Sequence, residues 1–182
     1  MATTTTRLVT ADDLLAMGDD VHVELIRGVL HDMSPTRHIH GVVCARYVMA
    51  LGRYAVDRGG QVIVGEAGFV LERDPDTVLV PDVAFIRADR VPPRDRWNQF
   101  IEVVPDLMIE VLSPSNTRAE MDRKVAIYLA AGVPLIWVAD PDSEQIVAHR
   151  PGAEPRIFGI DDVLDGGDVL PGFRVPVRTF FD

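Results

Sequence analysis

The sequence contains very little lysine and cysteine. Of its 18 Lys and Arg residues, only Lys124 is a lysine. The single cysteine, Cys44, excludes an intramolecular disulfide, fits a reducing compartment and is typical of a small buried apolar side chain. No apolar run approaches the length of a transmembrane helix, and residues 1–7 do not resemble a secretory signal. We therefore expect a cytoplasmic protein with no membrane partner.

Positive charge is also scarce, because 28 Asp and Glu residues outnumber the 18 Lys and Arg residues and give a net charge of -10. This balance argues against a general nucleic-acid coating protein, which neutralises many phosphates with basic side chains. An enzyme with a local basic groove remains compatible with it. Such an enzyme would bind DNA weakly and with a strong dependence on salt.

Several common catalytic motifs are missing. The sequence has no glycine-rich phosphate loop and no serine in a nucleophile elbow. A hydrolase that attacks sugars with paired carboxylates usually surrounds its cleft with aromatic side chains. Two Trp and three Tyr residues give that interpretation little support.

Apolar spacing and turn residues predict a mixed α/β domain with a central sheet. We interpret residues 1–182 as one domain, with residues 1–8 as a frayed end. Residues 145–182 are expected to form short strands and turns. The predicted helices cover residues 10–15, 40–56 and 117–131, and the predicted strands cover residues 21–26, 29–33, 61–64, 68–71, 78–86, 106–112 and 135–139.

Two acidic residues, Asp82 and Glu110, are embedded in apolar runs that we expect to be core strands. A buried carboxylate without a partner costs several kcal/mol, so each needs a salt bridge, a strand end that reaches water, or a bound cation. Lys124 follows on the next predicted helix, where the alternative is an exposed ion pair with Glu120 four residues earlier. Glu24 is a third acid in an apolar segment, either a further site residue or a solvent-facing edge residue.

Other residues could contact a nucleic acid. His40, at the start of the second predicted helix, could contact a phosphate or a metal, and helix capping or solvent exposure is the alternative. Arg94 and Arg96 precede Trp97 in a polar loop that could grip a phosphate backbone and stack on a base. The alternative is a solvated loop with Trp97 packed against the core.

In order and spacing, several segments of this chain resemble the Uma-type putative endonucleases, a bacterial family. That family belongs to the PD-(D/E)XK nuclease superfamily and has a restriction-endonuclease-like fold. The resemblance therefore implies an α/β fold with a central mixed β-sheet flanked by helices. The matching segments, which extend over roughly residues 10–180, are Glu24 to Gly28, Met33 to Pro35, His40-Gly41, Pro81 to Phe85, Glu110 to Ser115, Lys124, Tyr128, Ala131 to Val133 and Trp137 to Pro141.

The resemblance also implies a metal site. Asp82, Glu110 and the backbone carbonyl of Val111 would hold Mg²⁺ or Mn²⁺. The lysine that the superfamily places two residues after the glutamate is replaced by Leu112, and Lys124 on the following helix would take over its role.

The same resemblance implies a catalytic set of Asp82, Glu110, Lys124 and Glu24. Its activity would be Mg²⁺-dependent hydrolysis of DNA phosphodiester bonds by a metal-activated water. The alternative is an inactive nuclease fold that serves as a nucleic-acid-binding or regulatory module. Homodimerisation is expected for an enzyme that must cut both strands.

Overall fold

The fold is built around a mixed six-stranded sheet with helices on both faces. A computed structural model describes residues 7–18, 20–113 and 117–182. Its helices are α1 (Ala11–Ala16), α2 (His38–Arg58), α3 (Arg118–Ala130) and α4 (Arg178–Phe181). Its strands are β1 (Val23–Ile26), β2 (Val29–Asp32), β3 (Gln61–Val64), β4 (Phe69–Glu72), β5 (Thr77–Leu79), β6 (Val83–Ile86), β7 (Leu107–Val111), β8 (Ile136–Asp140), β9 (Gln145–His149), β10 (Arg156–Phe158), β11 (Val163–Gly166) and β12 (Leu170–Pro176).

The central sheet has the strand order β10-β9-β8-β7-β6-β3. Strands β7 and β8 are parallel, so the chain between them must cross over the sheet, and α3 forms this crossover. A smaller antiparallel sheet has the order β2-β1-β5-β4, and β11 pairs with β12 as a hairpin. The predicted mixed α/β architecture is confirmed.

Side-chain alternation along β7 assigns the two faces of the central sheet. Leu107, Ile109 and Val111 pack in the cluster that contains the buried face of α2. Met108 packs in the opposite cluster with the buried face of α3. Glu110 has the same parity as Met108, so its carboxylate points towards α3.

One predicted strand, residues 78–86, is wrong as a single element. It is divided into β5, which pairs with β1, and β6, which pairs with β3 and β7. The break falls at Val80, Pro81 and Asp82, where the chain passes from the smaller sheet to the central one. Proline has no N–H to donate to a strand ladder, which favours this break. Asp82 therefore lies at the entrance to β6 and not within a continuous strand.

Helix α1 is fixed at its N-terminus by two acids. Thr10 caps it in a capping box with Asp13. The Ala11 N–H donates to Asp76 Oδ2 at 2.7 Å, which ties the helix to the turn between β4 and β5. Of the predicted frayed residues, 1–6 lie outside the described part of the chain, and Arg7 forms an ion pair with Asp13 at 2.9 Å.

Helix α3 begins after Thr117, whose side chain accepts a hydrogen bond from the Glu120 N–H in a second capping box. The sequence also predicts that residues 113–116 end the sheet and cap this helix, and of these, residues 114–116 lie outside the described part of the chain. Helix α3 ends before Gly132, whose φ of +88° favours glycine.

The C-terminal region contains the predicted short strands and also α4, which the sequence pattern did not indicate. Phe180 of α4 is fully buried and stacks on Tyr47 of α2 at a centroid distance of 4.2 Å. Among the described helices, none combines the length and the apolar character needed to cross a bilayer.

Candidate active site

Asp82 is held by contacts from the neighbouring strand and from helix α2. Its Oδ2 accepts the Val111 N–H at 2.7 Å and lies 3.1 Å from Nε2 of His40. Both contacts involve the same carboxylate oxygen, and Asp82 lines the adjacent cleft. The break before β6 therefore places an acid opposite the end of β7.

Glu110 is buried, with its side chain 5% exposed, and α3 supplies both of its partners. The Tyr128 hydroxyl donates to Glu110 Oε1 at 2.5 Å, and Lys124 Nζ lies 2.9 Å from the same oxygen. Because Lys124 and Tyr128 are four residues apart, they lie on one face of the helix. The crossover helix α3 thus supplies both the ammonium of Lys124 and the hydroxyl of Tyr128 that contact the buried Glu110.

Lys124 bridges two acids that are distant in sequence. Its Nζ lies 3.0 Å from Glu24 Oε1 as well as 2.9 Å from Glu110. Glu120 instead binds the backbone and hydroxyl of Thr117, so the alternative of an exposed Lys124–Glu120 pair is wrong. The alternative of a solvent-facing Glu24 is also wrong, because Glu24 is 9% exposed.

Glu24 also connects the site to the segment between β5 and β6. Its Oε1 accepts the Val80 N–H at 3.0 Å. This N–H belongs to the segment between β5 and β6, where the smaller sheet ends. Glu24 therefore holds two parts of the site in place: the segment that leads into Asp82, and the ammonium of Lys124.

The charges of this site perturb one another. Burial raises the pKa of Glu110 to about 7, with Lys124 opposing the shift and Asp82 adding to it. Burial alone would lower the pKa of Lys124, but the carboxylates of Glu110 and Glu24 outweigh it and hold that pKa above its usual value. The lysine therefore stays charged and compensates part of the negative charge of the buried acids.

His40 and Cys44 extend the site into α2, one helical turn apart. Cys44 Sγ lies 3.6 Å from His40 Nδ1, while Nε2 of the same ring faces Asp82. Burial lowers the pKa of His40, but its hydrogen bond with Asp82 and the charge of Asp82 outweigh burial and the pKa is raised. Burial raises the pKa of the Cys44 thiol to about 12. His40 is 7% exposed, and its predicted contact with a nucleic acid stays a prediction.

The four predicted catalytic residues, Glu24, Asp82, Glu110 and Lys124, line one cleft of about 320 Å³. The other two predicted nucleic-acid contacts are not part of its lining. The Arg94 guanidinium lies 5.6 Å from the ring centroid of Trp97, and Arg96 lines a different cavity beside β3. Trp97 is 53% exposed, so the alternative that it packs against the core is wrong. Roles for Arg94 and Arg96 remain predictions.

The donor set of the cleft fits a hard divalent cation. Asp82 and Glu110 offer carboxylate oxygens, which Mg²⁺ and Mn²⁺ prefer as ligands. The Val111 N–H donates to Asp82 Oδ2, and in an extended strand the N–H and C=O of one residue point to the same side. The Val111 carbonyl therefore faces the same side of β7 as Asp82. Within the described part of the chain, His40, Cys44 and Asp82 form a second possible metal-binding group, whose ligand atoms lie within 4.8 Å of one another.

Sequence reasoning did not select two residues of this site. Tyr128 lies four residues after Lys124, and this spacing was the available signal that both face Glu110. Cys44 lies four residues after His40, and the same spacing brings its thiol to the imidazole. Neither spacing reveals which strand the helix face meets, so the contacts themselves required the fold.

A mixed sheet with one acid at the entrance to a strand, a second at the end of the next strand, and a lysine on the crossover helix defines a restriction-endonuclease-like α/β protein. The chain belongs to the Uma2 family, described as putative restriction endonucleases, whose family model matches residues 11–178.

The chain is also similar to a crystal structure of a putative nuclease belonging to DUF820 from Anabaena variabilis ATCC 29413. The two share 20% sequence identity and a TM-score of 0.81, over 95% of this chain and 97% of the other. At this identity the likeness establishes the fold. A search of curated proteins finds no match.

Proposed function

We propose that this protein is an endonuclease that hydrolyses DNA phosphodiester bonds with the help of Mg²⁺ or Mn²⁺. The observation that carries the proposal is the convergence of Asp82, Glu110 and Lys124 from three separate elements into one cleft. Membership of a family of putative restriction endonucleases supports the same activity. Asp82, Glu110 and the carbonyl of Val111 would hold the cation.

A divalent cation in this position supplies a more acidic bound water and neutralises charge on the phosphate. The chain supplies the geometry. The Val111 N–H and His40 hold one oxygen of Asp82, which fixes the direction of the other. Tyr128 does the same for Glu110.

Lys124 is the residue that would act on the reacting atoms from the protein side. Its ammonium is held by Glu110 and Glu24, with only 17% of the side chain exposed. A positive charge fixed at that point can orient the attacking water and stabilise the negative charge that grows on the phosphate as the new P–O bond forms. The attacking water gives up a proton to solvent, the bond to the leaving oxygen breaks, and that oxygen takes up a proton from solvent. Glu24 positions Lys124 in this scheme.

The charge of the protein shapes the proposed substrate interaction. With a net charge of -10, the chain would bind DNA weakly and with a steep dependence on salt. Arg94 and Arg96 are exposed and would add phosphate contacts outside the cleft. We also propose that residues 1–182 act as one domain, that the protein works in the cytoplasm, and that two copies associate to cut both strands.

The test compares wild type with Asp82→Asn in two measurements, calorimetric titration with Mg²⁺ and Mn²⁺ and nicking of a supercoiled plasmid. Asparagine keeps an oxygen that can accept from Val111 but removes the charge that a cation needs. We expect metal binding to be lost and nicking to fall at least about a hundredfold. Asp57→Ala is the matched control, because Asp57 is an exposed acid on α2 outside the cleft.

The two measurements separate the candidate functions. If Asp82→Asn nicks DNA as fast as wild type, the proposal is wrong. If wild type binds metal and DNA but does not nick under any tested combination of Mg²⁺ and Mn²⁺, the alternative of an inactive nucleic-acid-binding module is favoured. If wild type binds no metal, the acids are structural and the likeness to nucleases is one of fold.

A further inference from the structure

His40 and Cys44 have the separation of two ligands on one tetrahedral metal ion. The Cys44 Sγ and His40 Nδ1 atoms are 3.6 Å apart. Zinc bonds sulfur at about 2.3 Å and imidazole nitrogen at about 2.0 Å, and a tetrahedral angle between those bonds gives an S···N separation of about 3.6 Å. The two residues are four apart on α2, a spacing that also brings paired zinc ligands together on one face of a helix.

The rest of the His40 ring matches a metal-binding histidine. When one ring nitrogen binds a metal, the other usually donates its N–H to a carboxylate that fixes the orientation of the ring. Nε2 of His40 faces Asp82 Oδ2 at 3.1 Å, and that oxygen is itself held by the Val111 N–H. With its proton on Nε2, the ring presents the Nδ1 lone pair towards Cys44.

The chemistry of this pair differs from that of the catalytic cleft. Thiolate and imidazole select zinc-like ions, whereas carboxylate and carbonyl oxygens select Mg²⁺ and Mn²⁺. Cys44 and His40 both line a cavity of about 640 Å³ that Asp82 also borders. Cys44 lines this cavity and not the catalytic cleft, although the two share His40 and Asp82 in their linings, so the cavity offers space for an ion and its remaining water ligands beside the sulfur.

We propose that Cys44 and His40 form a second metal site, which takes a thiophilic divalent ion such as Zn²⁺ and inhibits the nuclease through Asp82. On binding, the S–H bond of Cys44 breaks, a sulfur–metal bond forms and the proton leaves to solvent. Inhibition follows because the second ion lies across the His40 ring from Asp82. Two divalent cations at so short a separation repel each other, so the ion bound at Cys44 and His40 lowers the affinity of the cleft for Mg²⁺.

Binding at this site does not depend on the nuclease activity, whereas the inhibition rests on the proposed function. The binding test is therefore spectroscopic. Co²⁺ serves as the probe, because a cobalt–thiolate bond gives a near-ultraviolet charge-transfer band that oxygen and nitrogen ligands do not give. Cys44 is the only cysteine in the chain, so any such band comes from it.

We expect the wild-type protein to show the cobalt band, Zn²⁺ to remove it, and Cys44→Ser and Cys44→Ala to lack it. His40→Asn should weaken cobalt binding at least about tenfold while leaving the thiol in place. Absence of the band in folded wild-type protein overturns the proposal, and so does a His40→Asn protein that binds cobalt as tightly as wild type. Circular dichroism of each variant verifies that it is folded.

The inhibition test titrates Zn²⁺ into plasmid nicking at fixed Mg²⁺. With each protein's nicking rate normalised to its own rate in Mg²⁺ alone, we expect the Zn²⁺ concentration for half-inhibition to rise at least about tenfold in Cys44→Ser. Equal inhibition of wild type and Cys44→Ser would mean that zinc acts at the carboxylates, and would overturn the regulatory part. If wild type does not nick DNA, the proposed function fails, while the cobalt band still decides whether the metal site exists.

Discussion

Replacing Lys124 with methionine tests how strongly the site depends on its single ammonium. Met keeps most of the length and apolar stem of Lys but removes the charge. Glu110 and Glu24 would then face each other with side chains 5% and 11% exposed and no cation between them. Removing one partner of a buried ion pair costs about 3–5 kcal/mol. The cost arises because Glu110, whose pKa is already raised to about 7, must either stay charged and uncompensated or take up a proton.

That free energy translates into a measurable loss of thermal stability. For a domain of this size each kcal/mol lowers Tm by about 2–4 °C, so Lys124→Met should melt about 6–20 °C below wild type in EDTA. The assay is differential scanning calorimetry, repeated by urea unfolding. The matched control on the same helix is Arg118→Met, whose side chain is 95% exposed and 3.9 Å from Asp122. It should lose no more than about 0.5 kcal/mol.

Metal ions should reverse part of the loss. A cation that binds the folded protein stabilises it by about 2.7 kcal/mol at a hundred times its Kd. In Lys124→Met the ion replaces the missing positive charge and meets no competing ammonium, so Mn²⁺ should raise the Tm of the variant more than that of wild type. The reasoning is refuted if metal-free Lys124→Met is within about 1 kcal/mol of wild type, or if Mn²⁺ stabilises both proteins equally.

Three further predictions address single contacts. Tyr128→Phe removes the hydroxyl donor from the buried carboxylate on β7 and should cost about 1–3 kcal/mol of unfolding free energy in urea, with the core packing retained. Asp76→Asn weakens the acceptor of the α1 N-terminus and should cost about 1–2 kcal/mol near pH 7. The backbone hydrogen bond from Ala11 lowers the pKa of Asp76 in the folded protein. This advantage of wild type is therefore fully present above the unfolded-state pKa and is lost as the pH falls through the lower folded-state pKa; a constant difference from pH 7 to pH 2 would contradict that assignment. Gly60→Ala should destabilise the fold more than Gly65→Ala. Both glycines have positive φ, but a Cβ at Gly60 would lie 2.6 Å from the Ile86 carbonyl oxygen, while a Cβ at Gly65 has nothing within 4 Å. Equal thermal stability of the two variants would contradict the steric argument.

Much of the framework could be predicted from local patterns. The helices predicted over residues 10–15 and 117–131 agree with α1 and α3 to within a few residues, because Thr10 and Thr117 are typical N-cap residues and Gly132 is a typical residue to follow a helix. The alternation of side chains along a strand is enough to place Glu110 on the same face as Met108, which packs with α3. These features depend on neighbouring residues, which is why the sequence alone contains enough information for them.

The contacts within the site could not be predicted from the sequence without knowing the fold. An exposed pair of Lys124 with Glu120 satisfies helix spacing as well as the observed bridge does, and only the position of α3 over β7 decides between them. Glu24 precedes Glu110 by 86 residues in the sequence, and no local pattern links the two. The break at Pro81 was missed because the apolar residues on either side continue as if one strand ran through it, whereas they belong to two sheets.

The position of the lysine on the crossover helix has a mechanical consequence. In a site whose acid and amine share a strand, the backbone fixes their separation. Here the separation between Glu110 and Lys124 is set by how α3 rests on the sheet through Met121, Val125 and Tyr128. The buried face of α3 therefore sets the position of Lys124. Substitutions that repack Met121 or Val125 should change the distance between the Lys124 ammonium and Glu110 without altering any residue that contacts the phosphate.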